Sequence, residues 1–392
     1  MGPLQGIKIL DLSRILAGPW ATQLLADYGA DVWKIERPGV GDDTRHWGPP
    51  FLKDRDGVET TESAYFLSTN RGKRSLVLDI TAEPGQAAIR KLVVEADILV
   101  ENYKVGGLAK YGLDYDSLAK LNPQLIYCSI TGFGQTGPDA SLAGYDAMVQ
   151  ARGGLMSITG EPDGVPGAGP QKVGVAVADL MAGMYAVSAI LAALHHRDKT
   201  GQGQQIDIGL LDTQVAWLAN QNMNYLVGGV APSRQGTAHP NIVPYQALPT
   251  RDGFIMLAVG NDRQFSACCE VLGEPGLVSD PRFLTNRLRV EYRDQLIPLL
   301  ESCFKTKTTA EWSQLLGQVK VPCGPINTLA EVFDDRQIKA RQMQFDLPHP
   351  VAGTVPQVAN PVKFSATPIV YPLAPPLLGA DTESVLKSLL DD

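Results

Sequence analysis

The first 130 residues alternate short apolar runs with amphipathic stretches, and that alternation leaves few folds open. Residues 7–12 (IKILDL), 31–36 (DVWKIE), 75–80 (SLVLDI), 97–102 (DILVEN) and 125–130 (LIYCSI) read as strands. Their nearly continuous apolar character is that of parallel strands buried on both faces. Between the first two, Gly18-Pro19 opens a helix near whose first turn the missing proline N–H costs nothing. Trp20, Leu24 and Tyr28 share one face of it, and Gly29 supplies the stop. Residues 84–96 form the helix before the fourth strand. Such strand–helix–strand repeats predict an open parallel sheet with helices on both faces. Ligands on these sheets sit outside the carboxyl ends of the strands. The loops that begin at Ser13, Arg37, Asn102 and Thr131 therefore surround one crevice.

Further along, residues 179–197 read as a helix apolar all round, hence buried, followed by a strand over 205–210 and a helix over 211–226. The punctuated stretch GGVAPSRQGTAHPNIVP marks a crossing into a second domain. That domain carries a strand at 254–259 and helices near 264–272, 295–304 and 309–318. The chain then becomes strand-like and Pro-rich from 348 to 376 and ends in a short helix.

Composition removes several classes of function. Apolar residues at 44% with charged residues at 19% exclude a disordered chain. A net charge of −8 argues against nucleic-acid or anionic-membrane binding. Cys128, Cys268, Cys269, Cys303 and Cys323 form no C-x-x-C and fit a reducing compartment. The start, MGPLQGIKILDLS, has the form of neither a secretory signal nor an Arg-rich presequence. The uncharged run Leu180–Leu194 has 15 residues, short of the roughly 20 that cross a bilayer. The expectation is a soluble cytoplasmic protein.

Motif absences narrow the chemistry. There is no G-x-x-x-x-G-K-[ST], no G-x-G-x-x-G after the first strand, no G-x-S-x-G and no H-E-x-x-H. No metal site is expected. Basic residues gather at loop ends: Arg14, Arg37, Arg71, Lys73, Arg74, Lys104 and Lys110. Singly they read as surface charge; together they suit a ligand with phosphates at one end, such as coenzyme A. Asp179 lies between KVGVAVA and the apolar helix, where it reads as an N-cap that is also oriented and ionised.

The segments GIKILDLSRILAGP, GADVWKIERPG, NRGKRS, VENY, SITGFGQTGP, AGYDA and KVGVAVADL resemble the class III CoA-transferases (CaiB/BaiF family) in order and spacing. GDDTRHWGPPF, GTAHPNIVPYQA and CGPIN look most like its succinyl-CoA:glutarate branch. The resemblance implies a homodimer of interlinked ring-like subunits, each with a Rossmann-like large domain and a smaller α+β domain. The large domain would begin with residues 1–227, the small domain would span 228–320, and residues 321–392 would return to the large one. No tightly bound cofactor is implied; coenzyme A and acyl-CoA are substrates.

By resemblance Asp179 is the catalytic carboxylate. Ile15, Leu16, Ala17, Arg37, Lys73, Asn102, Tyr103 and Lys110 line the CoA site. Tyr145, Asp146, Trp47, Gly260 and Asn261 support the reaction. The expected activity is reversible CoA transfer from an acyl-CoA, with succinyl-CoA as donor, to a carboxylic acid, a dicarboxylate such as glutarate. Its alternatives are a 2-methylacyl-CoA racemase, which would carry His at Tyr145, and a non-catalytic CoA-binding regulator. A diacid needs a cationic partner for its distal carboxylate. Arg45, two residues from Trp47, is the first candidate, followed by Arg234 and His239 of the small domain. Otherwise Arg45 would form a surface pair with Asp42 or Asp43.

Overall fold

Ile9, Leu10, Val32, Leu76, Ile98, Leu99 and Ile126 are completely buried, which requires protein on both faces of the strands that carry them. The computed structural model describes residues 2–388. Six parallel strands form the main sheet: β1 (Lys8–Asp11), β2 (Asp31–Glu36), β3 (Lys73–Val77), β4 (Ile98–Glu101), β5 (Ile126–Thr131) and β6 (Gln204–Gly209). Their order is β3-β2-β1-β4-β5-β6. Strand order therefore reverses between β1 and β4, and a ligand crevice is expected outside their carboxyl ends.

One face of the sheet is covered by α1 (Ala17–Asp27) and the long α4 (Val177–Thr200), which bury Ala21, Leu25, Ala182, Ala186 and Ile190 against it. The other face is covered by α2 (Glu83–Glu95) through Ile89, Leu92 and Val93. By length and composition α4 is able to cross a membrane; here it is the core helix that α1 packs against. Between β5 and α4 lies α3 (Asp146–Arg152), an element the sequence pattern did not reveal.

The third strand starts two residues earlier than its apolar pattern suggests. Lys73 pairs in register with Val32, and its charge is matched inside the fold. The helix expected over 211–226 is broken at Ala219, whose φ of 49° splits it into α5 (Leu210–Trp217) and α6 (Asn220–Gly228). The C-terminal segment protects the sheet edge. Leu373 O accepts the Gly72 N–H at 3.0 Å, Asp381 that of Ser75 at 3.0 Å and Thr382 Oγ1 that of Val77 at 2.9 Å.

The chain divides into two units, the first running to Leu155, over Val173–Gly228 and from Arg336 onward. The second comprises Met156–Lys172 and Gly229–Asp335. Residues 156–172 and 321–335 thus fall in the second unit, outside the 228–320 span expected for a small domain. It holds an antiparallel sheet β9-β8-β7, made of β7 (Tyr245–Pro249), β8 (Phe254–Ala258) and β9 (Cys323–Pro325). Helices α7 (Asp262–Leu272), α8 (Arg293–Phe304) and α9 (Thr309–Gln318) pack on it around Phe265, Leu296, Leu300, Phe304 and Trp312. Cys268 and Cys269 lie in this core as free thiols, and burial pushes the Cys269 thiol up to about 12.

Candidate active site

Two loops meet where the strand order reverses. The loop after β1 is held from beneath by a buried charge network. Lys34 Nζ donates to Ser13 O at 3.0 Å and to Asp42 Oδ2 at 2.9 Å, and Asp42 accepts the Ile15 N–H at 3.2 Å. Burial alone would raise the Asp42 carboxyl; Lys34 and the Thr44 donors hold it well below the usual range. That anchorage fixes Ile15 at φ 73°, a left-handed conformation that is strained for a β-branched residue. Asn102, after β4, binds the same loop in two directions. Its Oδ1 accepts the Arg14 N–H at 2.9 Å and its Nδ2 donates to Arg14 O at 2.7 Å. Asn102 therefore joins the two loops across the switch point with both ends of its amide engaged. Glu101 accepts the Tyr103 N–H at 2.7 Å. Burial pushes this carboxyl up to about 7, with Ser129 and Tyr103 as opposing donors.

Above these loops a pocket of about 570 Å³ opens. Ile15, Leu16, Ala17, Arg37, Asn102, Tyr103 and Lys110 line one part, and Tyr145, Asp146 and Asp179 another. The loop leading to Tyr145 reaches the site because two glycines touch: a Cβ on Gly132 would lie 2.5 Å from the Gly144 Cα. Arg14 and Arg37 both pair with Asp43, at 3.0 and 2.6 Å, so the basic rim is partly neutralised.

Asp179 occupies the third residue of α4, not its cap; the cap position is Ala176. The carboxylate that serves the helix terminus is Asp146, whose Oδ1 accepts the Ala178 N–H at 2.8 Å. Asp179 keeps partial access to the pocket although protein surrounds most of it. Burial pushes its carboxyl up to about 7, and the Asp146 charge adds to the rise. The expectation of a fully ionised Asp179 at neutral pH is thereby corrected.

Two further expectations change. Lys73 is 1% exposed and spends all three ammonium protons inside the fold: on Asp11 at 3.1 Å, Pro19 O at 3.0 Å and Asn70 Oδ1 at 2.9 Å. Burial lowers it to about 8 against the pull of Asp11. It lies under the site, not in its wall. Arg45 is also buried. Its Nε and Nη2 fork onto Glu36 at 2.8 Å each, Nη2 also reaches Pro376 O at 3.0 Å, and Nη1 lies 3.4 Å from Glu62. Its guanidinium lies 3.7 Å over the Phe66 ring. Arg45 is neither a surface pair with Asp42 or Asp43 nor available to a substrate carboxylate.

Trp47 is exposed and meets Tyr65 edge to face, with ring centroids 5.1 Å apart. Tyr65 carried no motif that would have singled it out. Burial pushes its hydroxyl up to about 12, and the charges of Asp179, Asp146 and Asp42 push the same way. The other candidates belong to the second unit. Arg234 pairs with Asp163 and donates to Glu161 O at 3.2 Å. His239 stacks on Tyr245, accepts the Asn241 N–H on Nδ1 at 3.0 Å, and is lowered by burial and by Arg293. Asn261 caps α7 by accepting the Gln264 N–H, and Gly260 donates to the Gln264 side chain at 2.8 Å.

The family model for CoA-transferase family III matches residues 4–382. The chain belongs to CoA-transferase family III. This transferase is 52% identical over 392 residues to a succinate–glutarate CoA-transferase of Agrobacterium fabrum, covering 99% of this chain and 96% of that protein. It is 45% identical over 388 residues to the succinyl-CoA:glutarate CoA-transferase of Homo sapiens, covering 99% and 86%. A crystal structure of a CAIB/BAIF family protein from Brucella suis superimposes with a TM-score of 0.87 at 49% identity over 99% of both chains. A CoA-transferase acts on CoA thioesters, and the pocket at the switch point combines basic side chains with the partly accessible Asp179 carboxyl, raised to about 7.

Proposed function

We propose that the enzyme transfers coenzyme A reversibly from succinyl-CoA to a dicarboxylate such as glutarate, with Asp179 as the covalent nucleophile. The observation that carries this reading is Asp179 itself: a carboxylate facing the pocket from the first turn of α4. The names of the relatives at 45–52% identity support the substrate pair. Ile15, Leu16, Ala17, Tyr103, Arg37 and Lys110 are assigned to the CoA chain and its phosphates, with Asn102 holding the loop that carries Ile15, Leu16 and Ala17.

In the first step an Asp179 oxygen attacks the thioester carbonyl carbon. The C–O bond forms, the C–S bond breaks, and a thiolate leaves a succinyl–aspartyl anhydride. That thiolate attacks the Asp179 Cγ, so that succinate departs with the bridging oxygen and an aspartyl thioester remains. An acceptor carboxylate oxygen attacks the same Cγ and expels the thiolate, which then takes the acceptor acyl group and returns Asp179 as a carboxylate. No net proton is consumed. Exclusion of water protects both acyl intermediates from hydrolysis. The rise of Asp179 to about 7 makes the attacking anion more basic than an ordinary carboxylate, at the cost of a smaller ionised fraction.

The enzyme is further proposed to act as an interlinked homodimer. Leu226, Val227 and Val230, exposed at 72%, 79% and 76%, provide apolar surface for a second copy. With Arg45 engaged elsewhere, Arg234 and His239 are the remaining candidates for the distal carboxylate. Incubation with succinyl-CoA and labelled glutarate tests the reading. Glutaryl-CoA should form with the wild type and not with Asp179→Ala, which should still bind CoA. No label transfer by the wild type would refute it.

A further inference from the structure

Gln150 is a polar side chain with no exposure to solvent, set one turn beyond Asp146 on α3. A buried amide is costly unless each end is satisfied, and here its partners belong to the route into the active site. Nε2 donates to Asp146 Oδ2 at 2.7 Å and lies 3.4 Å from Val175 O, while Oε1 accepts the Val173 N–H at 2.9 Å. The other Asp146 oxygen accepts the Ala178 N–H at 2.8 Å. One amide thus ties the pocket carboxylate to the bent segment that enters α4, and that carboxylate ties down the residue before Asp179. We propose that Gln150 is a positioning residue of the transfer reaction, fixing Asp146 and the 173–178 segment so that Asp179 presents its carboxylate in a single orientation. The proposal rests on the reading of Asp179 as nucleophile, and Gln150 acts through Asp146 without touching substrate.

The orientation matters because a carboxylate attacking a thioester must approach within a narrow range of geometry, and small misplacements lower rates steeply. The titratable groups that face Asp179 are Asp146 on α3 and Tyr65 on the helical turn Ala64–Leu67. Without Gln150, Asp146 Oδ2 is expected to turn towards water while Oδ1 keeps the Ala178 N–H, and the pressure of its charge on Asp179 should fall.

Gln150→Met removes the three polar contacts at similar volume. In pH profiles of CoA transfer its kcat should fall about tenfold or more while KM for succinyl-CoA stays within about twofold. The pH of half-maximal kcat/KM should move towards acid, as it should in Asp146→Asn. Gln150→Glu keeps the shape and adds negative charge beside Asp146, so its midpoint should move towards alkali; it carries the test if Gln150→Met does not fold. A lower kcat in both variants with unmoved midpoints assigns Gln150 a structural role only and overturns the proposal, as does wild-type kcat in either. Absence of transfer by the wild type would instead overturn the reading of the enzyme itself.

Discussion

Asp179 has to be ionised to attack, so kcat/KM for succinyl-CoA should rise with pH through a midpoint near 7, as a pH series on the wild type will show. The same shift has a consequence for stability. Its folded value lies above the unfolded one, so the neutral form is favoured on folding, and ionisation weakens the fold as pH rises between the two. Asp179→Asn should therefore be more stable than wild type at pH ~8, by on the order of 2 kcal/mol after allowance for its partial access to water, with little difference near pH ~4. Denaturant melts at the two pH values decide this. Arg45 provides a contrasting case. Arg45→Met leaves Glu36 buried without its forked partner, a loss of ~3–5 kcal/mol, and should weaken diacid and monoacid acceptors equally. A selective loss of diacid turnover in the folded fraction would return Arg45 to the site.

At the scale of elements, β3 and the end of β1 depend on one another through Lys73 and Asp11. Lys73→Met should lower stability by ~3–5 kcal/mol, because Asp11 loses its closest cation, and should leave KM for succinyl-CoA within about twofold in protein that still folds. A large rise in KM with unchanged stability would place Lys73 in the pocket wall. The contrast shows what the sequence carries and what it hides. β1, β2, β4 and β5 were legible because strands buried on both faces read as largely apolar runs, interrupted by few charges, and α4 was legible because it is apolar all round. Lys73 and Arg45 were misread because a buried ion pair leaves the same letters as a basic surface; only the partners, Asp11 and Glu36, distinguish them. α3 escaped notice because seven residues, DAMVQAR, show too few turns for a period, and because its buried face includes the amide of Gln150. Asp179 lines the pocket but does not cap α4, since Asp146, 33 positions earlier in the chain, accepts the Ala178 N–H. Tyr65 had no sequence signal beyond an aromatic in TESAYFLSTN.

Across the whole molecule, reversal of strand order between β1 and β4 places the pocket, and the Asn102 clamp and the Asp42 anchor hold its two loops. The proposed dimer should sediment at twice the 42.2 kDa of the chain, whereas a monomer mass at working concentrations would contradict it. Passage of CoA through the carboxylate of Asp179, as proposed, is tested most directly by following oxygen. The enzyme would be given succinyl-CoA and glutarate labelled with heavy oxygen in its carboxylates, then digested, and the Asp179 peptide and the released succinate weighed. Covalent catalysis by Asp179 should give glutaryl-CoA, heavy oxygen in the Asp179 side chain after one turnover, and its appearance in succinate on the next. Glutaryl-CoA formed with no heavy oxygen in either the peptide or succinate would contradict it.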